Sequence, residues 1–434
     1  MRIIKLFTMS FVLLMYVSVV NAAGRVYTDK INLDKMADTA IENYAFPGAA
    51  IAAGSSDSDY VVKAFGYNTY AKQVKNTPDS IFDLASMSKV CGTTPSIMKL
   101  YDEGKIKLSD KVVKYIPEFT GNNKLQVELK AKVTIENLLT HTSGLPPDND
   151  IYKMRKASLK EKWAHIYKTP LAYYPSVKYA YSDVNMLLAQ KIVERVSGMT
   201  LDKFVEKYIY KPLGMNHTFY NPPMEYFDKI VPTEFSIYTN KPYKGTVDDE
   251  NARGLGGVAG HAGLFSTVKD IATYAKMLLN KGEYKGIRIF KPSTVEKFSK
   301  RSDIIPGSSR ALGWDTVYNP YYVIPTQDRD EKDFILNKKG LYEDLNQCSA
   351  GLYIDPDAFG HTGYTGTSIW ISPKDNVYVI LLTNRVFPFR DYTPYDVFAY
   401  WRQSINSAVW ENLGFTKKNQ LYQQQNPHYY HKAN

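Results

Sequence analysis

The sequence predicts an α/β fold, in which an antiparallel sheet is flanked by helices and carries an inserted all-helical lobe. Apolar runs at 51–53 and 60–62 flank a Ser/Asp/Gly cluster at 54–59, which is typical of a β-hairpin. Similar runs at 368–371 and 377–382 flank a short turn near the other end. Because the chain between these pairs is mainly helical, we expect one sheet built by both ends, with a cleft between sheet and lobe.

Apolar residues with helical spacing predict the helices. The segment 397–413 has this spacing throughout, which predicts a helix after the second pair of strands. In the middle of the chain we expect helices at 134–139, 185–196 and 267–279. Thr267 and Asp270 have the spacing of a capping box, which predicts that the last of these begins there.

Composition excludes several classes of protein. The chain has 434 residues, of which 44% are hydrophobic and 23% charged, as in an ordinary globular protein rather than a disordered or polytopic membrane chain. Two cysteines are too few for a disulfide scaffold, and no Cys/His spacing indicates structural zinc. The net charge of +10 favours anionic surroundings such as cell-wall or membrane surfaces. No basic stretch is concentrated enough to predict nucleic-acid binding.

The N-terminal segment 1–22 has the pattern of a secretory signal peptide. Arg2 and Lys5 precede an apolar run at 6–20, and Ala22 provides the small residue expected before a cleavage site. The run is short for a membrane span, although an uncleaved anchor remains the alternative. We therefore expect an exported protein, periplasmic or on the outer side of the inner membrane. Its single catalytic domain would cover 23–415, followed by a disordered polar tail at 416–434.

A first candidate for chemistry is the pair Ser86 and Lys89. Positions i and i+3 share one face of a helix, so the two side chains can touch. A helix that begins at Ser86 favours negative charge near its hydroxyl, and a desolvated lysine can assist deprotonation of a serine. The spacing alone is weak evidence, because it recurs at Ser96/Lys99 and at Ser266/Lys269.

Two further elements follow along the chain. Tyr181 lies just before an apolar helix and could act as general base or acid if cations stabilise its phenolate. Its neighbours Ser182 and Asp183, taken alone, are better interpreted as helix N-caps. The glycine-rich segment 360–366 directly precedes a predicted strand and would let a substrate backbone lie along a sheet edge, although a plain turn has the same pattern.

Together, Ser-x-x-Lys, the Tyr-Ser-Asp element and His-Thr-Gly at 361–363 resemble the signature of the penicillin-recognising serine hydrolases. The chain resembles the class C β-lactamase family with its D-alanyl-D-alanine carboxypeptidase and esterase members. Supporting stretches lie at 46–49, 138–145, 212–215 and 256–266, and the likeness covers nearly all of 40–385. The last two stretches look most like low-molecular-mass penicillin-binding proteins. The implied fold is β-lactamase/transpeptidase-like.

The resemblance implies roles for individual residues. Ser86 would be the nucleophile, Lys89 would assist its deprotonation, and Tyr181 would move protons to and from the leaving group. Asp183, His361, Thr362, Gly363 and Tyr364 would bind the substrate. The backbone N–H groups of Ser86 and Tyr364 would form the oxyanion hole. No metal or organic cofactor is implied.

Two residues depart from the family pattern. Asp183 stands where the family often has Asn; a carboxylate cannot donate a hydrogen bond to a substrate carbonyl, and it could instead pair with Lys89 and weaken that base. Asn185 is too displaced in register to replace it. His361 stands where a lysine is common, so a permanent cation becomes a group that is half-charged near pH 6.5.

We therefore expect a carboxypeptidase that processes cell-wall peptides through an acyl-enzyme, with β-lactams as acylating ligands. The alternatives are an esterase on small acyl esters, a weak β-lactamase and a non-catalytic wall-binding scaffold. His141 and His261 are interpreted as hydrogen-bonded structural histidines, and Arg385 as a solvated surface residue rather than a contact for a substrate carboxylate.

Overall fold

The computed structural model describes residues 27–305, 308–317 and 347–415, together with two short strands at 335–336 and 342–343. The predicted signal peptide at 1–22 and the predicted tail at 416–434 lie outside these residues. Within the described part of the chain, no helix has the length and apolar character needed to cross a membrane.

The strands are β1 (Gly48–Gly54), β2 (Asp59–Gly66), β3 (Phe82–Asp83), β4 (Phe219–Tyr220), β5 (Leu264–Ser266), β6 (Glu283–Tyr284), β7 (Ile287–Arg288), β8 (Asp315–Thr316), β9 (Ile335–Leu336), β10 (Tyr342–Glu343), β11 (Phe359–Thr362), β12 (Ser368–Ser372) and β13 (Val377–Thr383). The main sheet has six antiparallel strands in the order β2-β1-β13-β12-β11-β8, and a smaller sheet has the order β3-β5-β4.

Both predicted strand pairs are present and belong to one sheet. In the N-terminal hairpin, Ile51 of β1 lies opposite Lys63 of β2. In the C-terminal hairpin, Ile369 of β12 lies opposite Ile380 of β13. The two hairpins join because β1 also pairs with β13, with Ile51 opposite Leu381. The prediction of an antiparallel sheet closed by both ends of the chain is confirmed.

The helices are α1 (Leu33–Glu42), α2 (Thr94–Asp102), α3 (Val112–Tyr115), α4 (Lys124–Lys130), α5 (Ile135–Leu139), α6 (Leu159–Lys168), α7 (Asp183–Ser197), α8 (Leu201–Val205), α9 (Lys211–Leu213), α10 (Glu250–Gly254), α11 (Val268–Leu279), α12 (Pro292–Ser299) and α13 (Tyr395–Asn412). Those from α2 to α12 lie between β2 and β8 in the chain, so the helical part is inserted between the two strand groups as predicted. The expected helix at 397–413 is α13.

Both faces of the main sheet are buried, which explains its apolar strands. Successive side chains of a strand point to opposite faces. On β1, Ala49, Ile51 and Ala53 pack in one apolar cluster with α1 and α13, whereas Ala50 and Ala52 belong to the larger cluster that includes the helical lobe. The small alanine side chains let helices approach β1 closely on both sides.

Helix α11 begins where the sequence predicts but is capped differently. The hydroxyl of Thr267 accepts a hydrogen bond from the Asp270 N–H at 3.2 Å, as expected for an N-cap. The Asp270 carboxylate instead accepts from the N–H of His217 and from the hydroxyl of Thr218, each at 2.8 Å. The capping-box prediction is wrong in this half, because the carboxylate ties α11 to the residues before β4.

Candidate active site

Ser86 lies on a tight turn between β3 and the helical segment that leads into α2. Ala85, the residue before it, has a φ of +46°, a conformation that costs a non-glycine residue on the order of 1–3 kcal/mol. Two hydrogen bonds stabilise the turn. The Ala85 N–H donates to Asp83 Oδ1 at 2.9 Å, and the Leu84 N–H donates to Leu264 O at 2.9 Å. This geometry places the Ser86 side chain at the start of a helical turn.

Lys89 contacts Ser86 directly. The helical segment continues through a π-helix (Lys89–Thr93) into α2, and the Lys89 N–H donates to Ser86 O at 3.0 Å. The Lys89 side chain folds back along this turn, so that Nζ lies 2.8 Å from Ser86 Oγ. The contact that the Ser-x-x-Lys spacing predicts is therefore present, and Lys89 is completely buried.

Lys89 is held by groups that favour its charged form. Its Nζ lies 2.8 Å from Asp183 Oδ1 and donates to His261 O at 3.1 Å. Burial works to lower the pKa of Lys89, but Asp183 and Tyr181 outweigh it and the pKa is raised above its ordinary value. The Asp183–Lys89 pair anticipated from the sequence is present, so Lys89 is an ammonium rather than a neutral base.

Tyr181 lies between two cations. The centre of its ring is 4.8 Å from Lys89 Nζ and 5.0 Å from the guanidinium carbon of Arg310. The rings of His141 and His361 flank it, with centroid distances of 4.7 and 6.1 Å. Two positively charged side chains therefore lie close to the Tyr181 ring.

The residues after Tyr181 differ in part from the N-cap interpretation. Ser182 is the N-cap residue of α7, but its hydroxyl donates to Pro146 O at 2.5 Å instead of capping the helix. Asp183, in the first helical turn, points to Lys89. Asn185 points inward, where its Oδ1 accepts from Ser143 Oγ at 2.6 Å and its amide lies 3.2 Å from His141 Nδ1. Asn185 is thus occupied and does not take the place of Asp183.

His361 is not the half-charged cation that the sequence suggested. It is 2% exposed, its Nδ1 donates to Thr362 O at 2.7 Å, and its Nε2 lies 3.3 Å from Arg310 Nη1. Because a carbonyl accepts and a guanidinium only donates, this pattern requires the neutral ring with its proton on Nδ1. Burial, together with the charges of Arg310 and Lys89, holds the pKa of His361 well below its ordinary value.

The permanent cation here is Arg310, which sequence reasoning missed. Its Nε donates to Tyr179 Oη at 3.0 Å and pairs with Asp315 Oδ1 at 3.1 Å. Burial alone would lower the pKa of Arg310, but Asp315, Tyr179 and Tyr181 outweigh it and the pKa is raised. No local pattern could have revealed Arg310, because it lies outside all three motifs and 51 positions before His361.

Two threonines fasten the β11–β12 turn to the Ser86 turn. Thr365 Oγ1 donates to Asp83 O at 2.7 Å, and Thr367 Oγ1 donates to Leu84 O at 2.9 Å. Both hydrogen bonds are buried. They fix the position of the His-Thr-Gly strand relative to Ser86.

The two N–H groups predicted for the oxyanion hole lie on two turns, that of Ser86 after β3 and that of Tyr364 between β11 and β12. Gly363 is required by packing, because a Cβ there would lie 2.4 Å from Leu84 O. Thr362 ends β11, and Tyr364 follows Gly363 with about half of its side chain exposed. Within the described residues, the N–H groups of Ser86 and Tyr364 donate to no protein acceptor. The oxyanion hole that the resemblance implies at these two groups stays a prediction.

Arg385 is buried, and the expectation of a solvated surface residue is wrong. It is 2% exposed, its Nε donates to Tyr364 O at 2.9 Å, and its guanidinium carbon lies 4.6 Å from the centre of the Tyr364 ring. The Arg385 N–H also donates to Thr365 O at 2.9 Å. Arg385 thus orients the peptide group next to the Tyr364 N–H.

His141 and His261 are hydrogen-bonded, as expected, but both lie beside the site. The Ser182 N–H donates to His141 Nδ1 at 3.1 Å, and His261 Nε2 lies 2.9 Å from Asp249 Oδ1. Within the described residues, Asp183, Asp249 and His261 form a group whose donor atoms lie within 4.8 Å of one another. Because Lys89 pairs with Asp183 and His261 with Asp249, we assign no metal to it.

A serine hydroxyl in contact with a buried lysine, beside a tyrosine and two free N–H groups, defines a serine hydrolase. The chain belongs to the Beta-lactamase family, whose model matches residues 33–399. A relative from Salmonella agona named "Putative D-alanyl-D-alanine carboxypeptidase" is 35% identical over 347 residues, which cover 75% of this chain and 74% of the relative. A relative of the same name from Salmonella typhimurium is 34% identical over 347 residues, with the same coverage of each chain.

Solved structures share the fold. EstCE1, "a hydrolase with promiscuous acyltransferase activity", has a TM-score of 0.65 at 18% identity, covering 87% of this chain and 97% of its own. The octameric penicillin-binding protein homologue from Pyrococcus abyssi has a TM-score of 0.60 at 21% identity, covering 91% and 80%. The predicted β-lactamase/transpeptidase-like fold is confirmed.

Proposed function

We propose that this serine hydrolase is a D-alanyl-D-alanine carboxypeptidase that forms an acyl-enzyme on Ser86. The observation that carries the proposal is the 2.8 Å contact between Ser86 Oγ and Lys89 Nζ, beside Tyr181 and the free N–H groups of Ser86 and Tyr364. The name of the relatives at 34–35% identity supports the peptide substrate.

The charges of the site suggest how the proton moves. Lys89, an ammonium, cannot accept the Ser86 proton, but it stabilises the negative charge that develops on Oγ. Tyr181, between Lys89 and Arg310, takes the proton as Oγ bonds to the penultimate D-alanine carbonyl. When the C–N bond breaks, Tyr181 returns that proton to the leaving amine. Water then attacks the acyl carbonyl and gives a proton to Tyr181. Tyr181 passes that proton to Ser86 Oγ as the C–O bond breaks, which releases the shortened peptide.

Two cationic side chains support a substrate that ends in a carboxylate. Arg310 contacts His361 at the end of β11, and Arg385 lies beneath Tyr364 on the other side of the turn. Both are buried and held by protein groups, so they act through their field rather than by direct pairing. Thr362, which follows His361 at the end of β11, offers a hydroxyl that we propose contacts the carboxylate.

The test is covalent labelling by a penicillin, read by intact-mass spectrometry. We expect one adduct on the wild-type protein and none on Ser86→Ala. Ser96→Ala is the matched control: Ser96 has the same spacing to Lys99, but it is buried and its hydroxyl donates to Gly92 O at 2.8 Å. This control should label like the wild type. No adduct on the wild type would leave the non-catalytic wall-binding scaffold, and an adduct that survives Ser86→Ala would refute the assignment.

An esterase is the second candidate, favoured by the neutral His361. Without a cation at that position, the preference for a carboxylate is weaker than with lysine. Rates on a D-alanyl-D-alanine peptide and on a nitrophenyl ester separate the two functions. Rapid release of the penicillin adduct would instead indicate a β-lactamase.

We also propose that the protein works outside the cytoplasm, after cleavage behind Ala22. The basic segment and apolar run at the N-terminus support this location, and the net charge of +10 supports contact with anionic wall or membrane surfaces. Cell fractionation followed by N-terminal sequencing should find the protein in the exported fraction, starting at Ala23. A cytoplasmic protein that retains Met1 would contradict this.

A further inference from the structure

A second ionised pair lies behind the Lys89–Asp183 pair. His261 Nε2 donates to Asp249 Oδ1 at 2.9 Å, and the side-chain ligand atoms of Asp183, Asp249 and His261 all lie within 4.8 Å of one another. The main-chain oxygen of His261 accepts from Lys89 Nζ at 3.1 Å. His261 therefore contacts Lys89 through its backbone and faces Asp183 with its ring.

Asp249 is fixed by the helix that follows it. It is the N-cap of α10, and its Oδ1 accepts a hydrogen bond from the Ala252 N–H. Burial alone would raise the pKa of Asp249, but His261 and this N–H outweigh it and hold the pKa well below its ordinary value. Asp249 is thus a permanent anion beside His261.

The four residues Lys89, Asp183, Asp249 and His261 form a network whose net charge is zero only when His261 is protonated. Lys89 supplies one positive charge, and Asp183 and Asp249 supply two negative charges. Burial works to lower the pKa of His261, but Asp249 and then Asp183 outweigh it, and the pKa is raised above its ordinary value. Loss of the His261 proton would leave an uncompensated negative charge next to Ser86.

We propose that His261 and Asp249 are positioning residues for the Lys89–Asp183 pair, and that the imidazolium of His261 keeps this four-residue network neutral while Ser86 is acylated. The inference rests on the proposed acyl-enzyme at Ser86. Oγ and the carbonyl oxygen both gain negative charge during acylation. A net negative network beside them opposes that change, so acylation slows as pH rises and His261 loses its proton.

Other ionisable groups near this network must be separated from His261. Lys89 is also faced by Tyr181, His141 and His361. The two histidines stay neutral because burial and the charges of Arg310 and Lys89 hold their pKa values well below the ordinary range. Under the Ser86 turn, burial and a neighbouring carboxylate raise the pKa of Asp83 to about 7 and that of Asp248 to about 6. All of these groups persist in a His261 variant.

The experiment is the pH dependence of acylation by a fluorescent penicillin between pH 5.5 and 9. In the wild type we expect the second-order rate constant to fall as pH rises and His261 loses its proton, at a pH above the ordinary range of a histidine. In His261→Gln, which keeps a donor for Asp249, this decline should disappear, and the rate at low pH should be roughly tenfold lower. His165→Gln, at an exposed histidine, is the matched control and should keep the wild-type profile.

Asp249→Asn provides a second variant, because asparagine retains an acceptor for the Ala252 N–H. Removing the anion should lower the pKa of His261 and move the decline to lower pH. Proton NMR of the histidine rings should follow the same shift, with the His261 signal identified by its loss in His261→Gln. If both variants keep the wild-type profile while the wild type still labels at Ser86, the network proposal is wrong and the proposed function stands. If the wild type does not label, the proposed function itself fails.

Discussion

Arg310 Nη1 lies 3.3 Å from His361 Nε2, so a permanent cation contacts a neutral histidine at the end of β11. In the pattern that this chain resembles, a lysine is common at the position of His361 and would supply a permanent positive charge there. In this chain Arg310 supplies the positive charge instead, and the neutral His361 occupies the position on the strand. The site therefore keeps a positive field without an exposed lysine.

Arg310→Gln should slow acylation by penicillin at least about tenfold at pH 8, since it removes one of the two cations beside Tyr181. The charge of Arg310 also helps to hold the pKa of His361 down, so that pKa should rise in the variant. Part of the lost rate should return as pH falls and His361 gains a proton. Stopped-flow labelling across pH measures both effects, and a profile parallel to that of the wild type would contradict the prediction.

Asp183→Asn should accelerate acylation, by about tenfold at pH 8. The change removes the anion that raises the pKa of Lys89 and makes the surroundings of Ser86 more positive. It should also lower the free energy of unfolding, because a buried ammonium loses its partner. Labelling rates and urea denaturation measure the two effects. Asp150→Asn, at the exposed pair with Lys153, is the control and should change neither; a slower Asp183→Asn would show that the carboxylate itself handles a proton.

Arg385→Gln should lower kcat by up to about 10²-fold with little change in KM, because Arg385 orients the peptide next to the Tyr364 N–H. An interaction made in the transition state affects kcat, whereas one made with the bound substrate affects KM. Steady-state kinetics on a D-alanyl-D-alanine peptide distinguish the two cases. A raised KM with unchanged kcat would place Arg385 in substrate binding instead.

Asp83 should make stability depend on pH. Its pKa is about 7 in the folded protein, raised by burial and by Asp248, against about 4 when unfolded. The folded state therefore holds this proton more tightly, and the associated stability is present below about pH 4 and is lost as pH rises to about 7. Thermal denaturation from pH 4 to 8 should show a shallower loss in Asp83→Asn than in the wild type. An equal loss in both proteins would rule out Asp83 as its source.

Local sequence patterns predicted the two hairpins, α13 and the contact between Ser86 and Lys89. Continuous apolar runs beside turn residues predicted the two hairpins, because strands buried on both faces are apolar throughout, and helical apolar spacing predicted α13. Ser86 and Lys89 were found for the same reason, since one helical turn fixes their spacing. The Asp183–Lys89 pair followed from charge and motif together.

Long-range contacts left no such trace. Long-range packing of turns and of the helical lobe brings three residues to the site, namely Arg310, Asp249 and His261. Such packing leaves no periodic pattern of apolar residues in the sequence. His261, for example, contacts Lys89 across 172 positions. The prediction for Arg385 was wrong because a charged side chain is usually solvated, whereas this guanidinium is buried beneath Tyr364. Burial of a charged residue depends on partners that the sequence does not reveal.

The hydrogen bond from Thr365 to Asp83 joins residues that are 282 positions apart in the chain, and this separation has a consequence for biosynthesis. Ser86 emerges from the ribosome long before the turn that carries Tyr364. A nascent or prematurely terminated chain that lacks the last quarter thus contains Ser86 but not Tyr364 or the strands β11, β12 and β13. Hydrolytic competence should arise late, as an all-or-none event, once the final strands have been inserted between the earlier parts of the molecule.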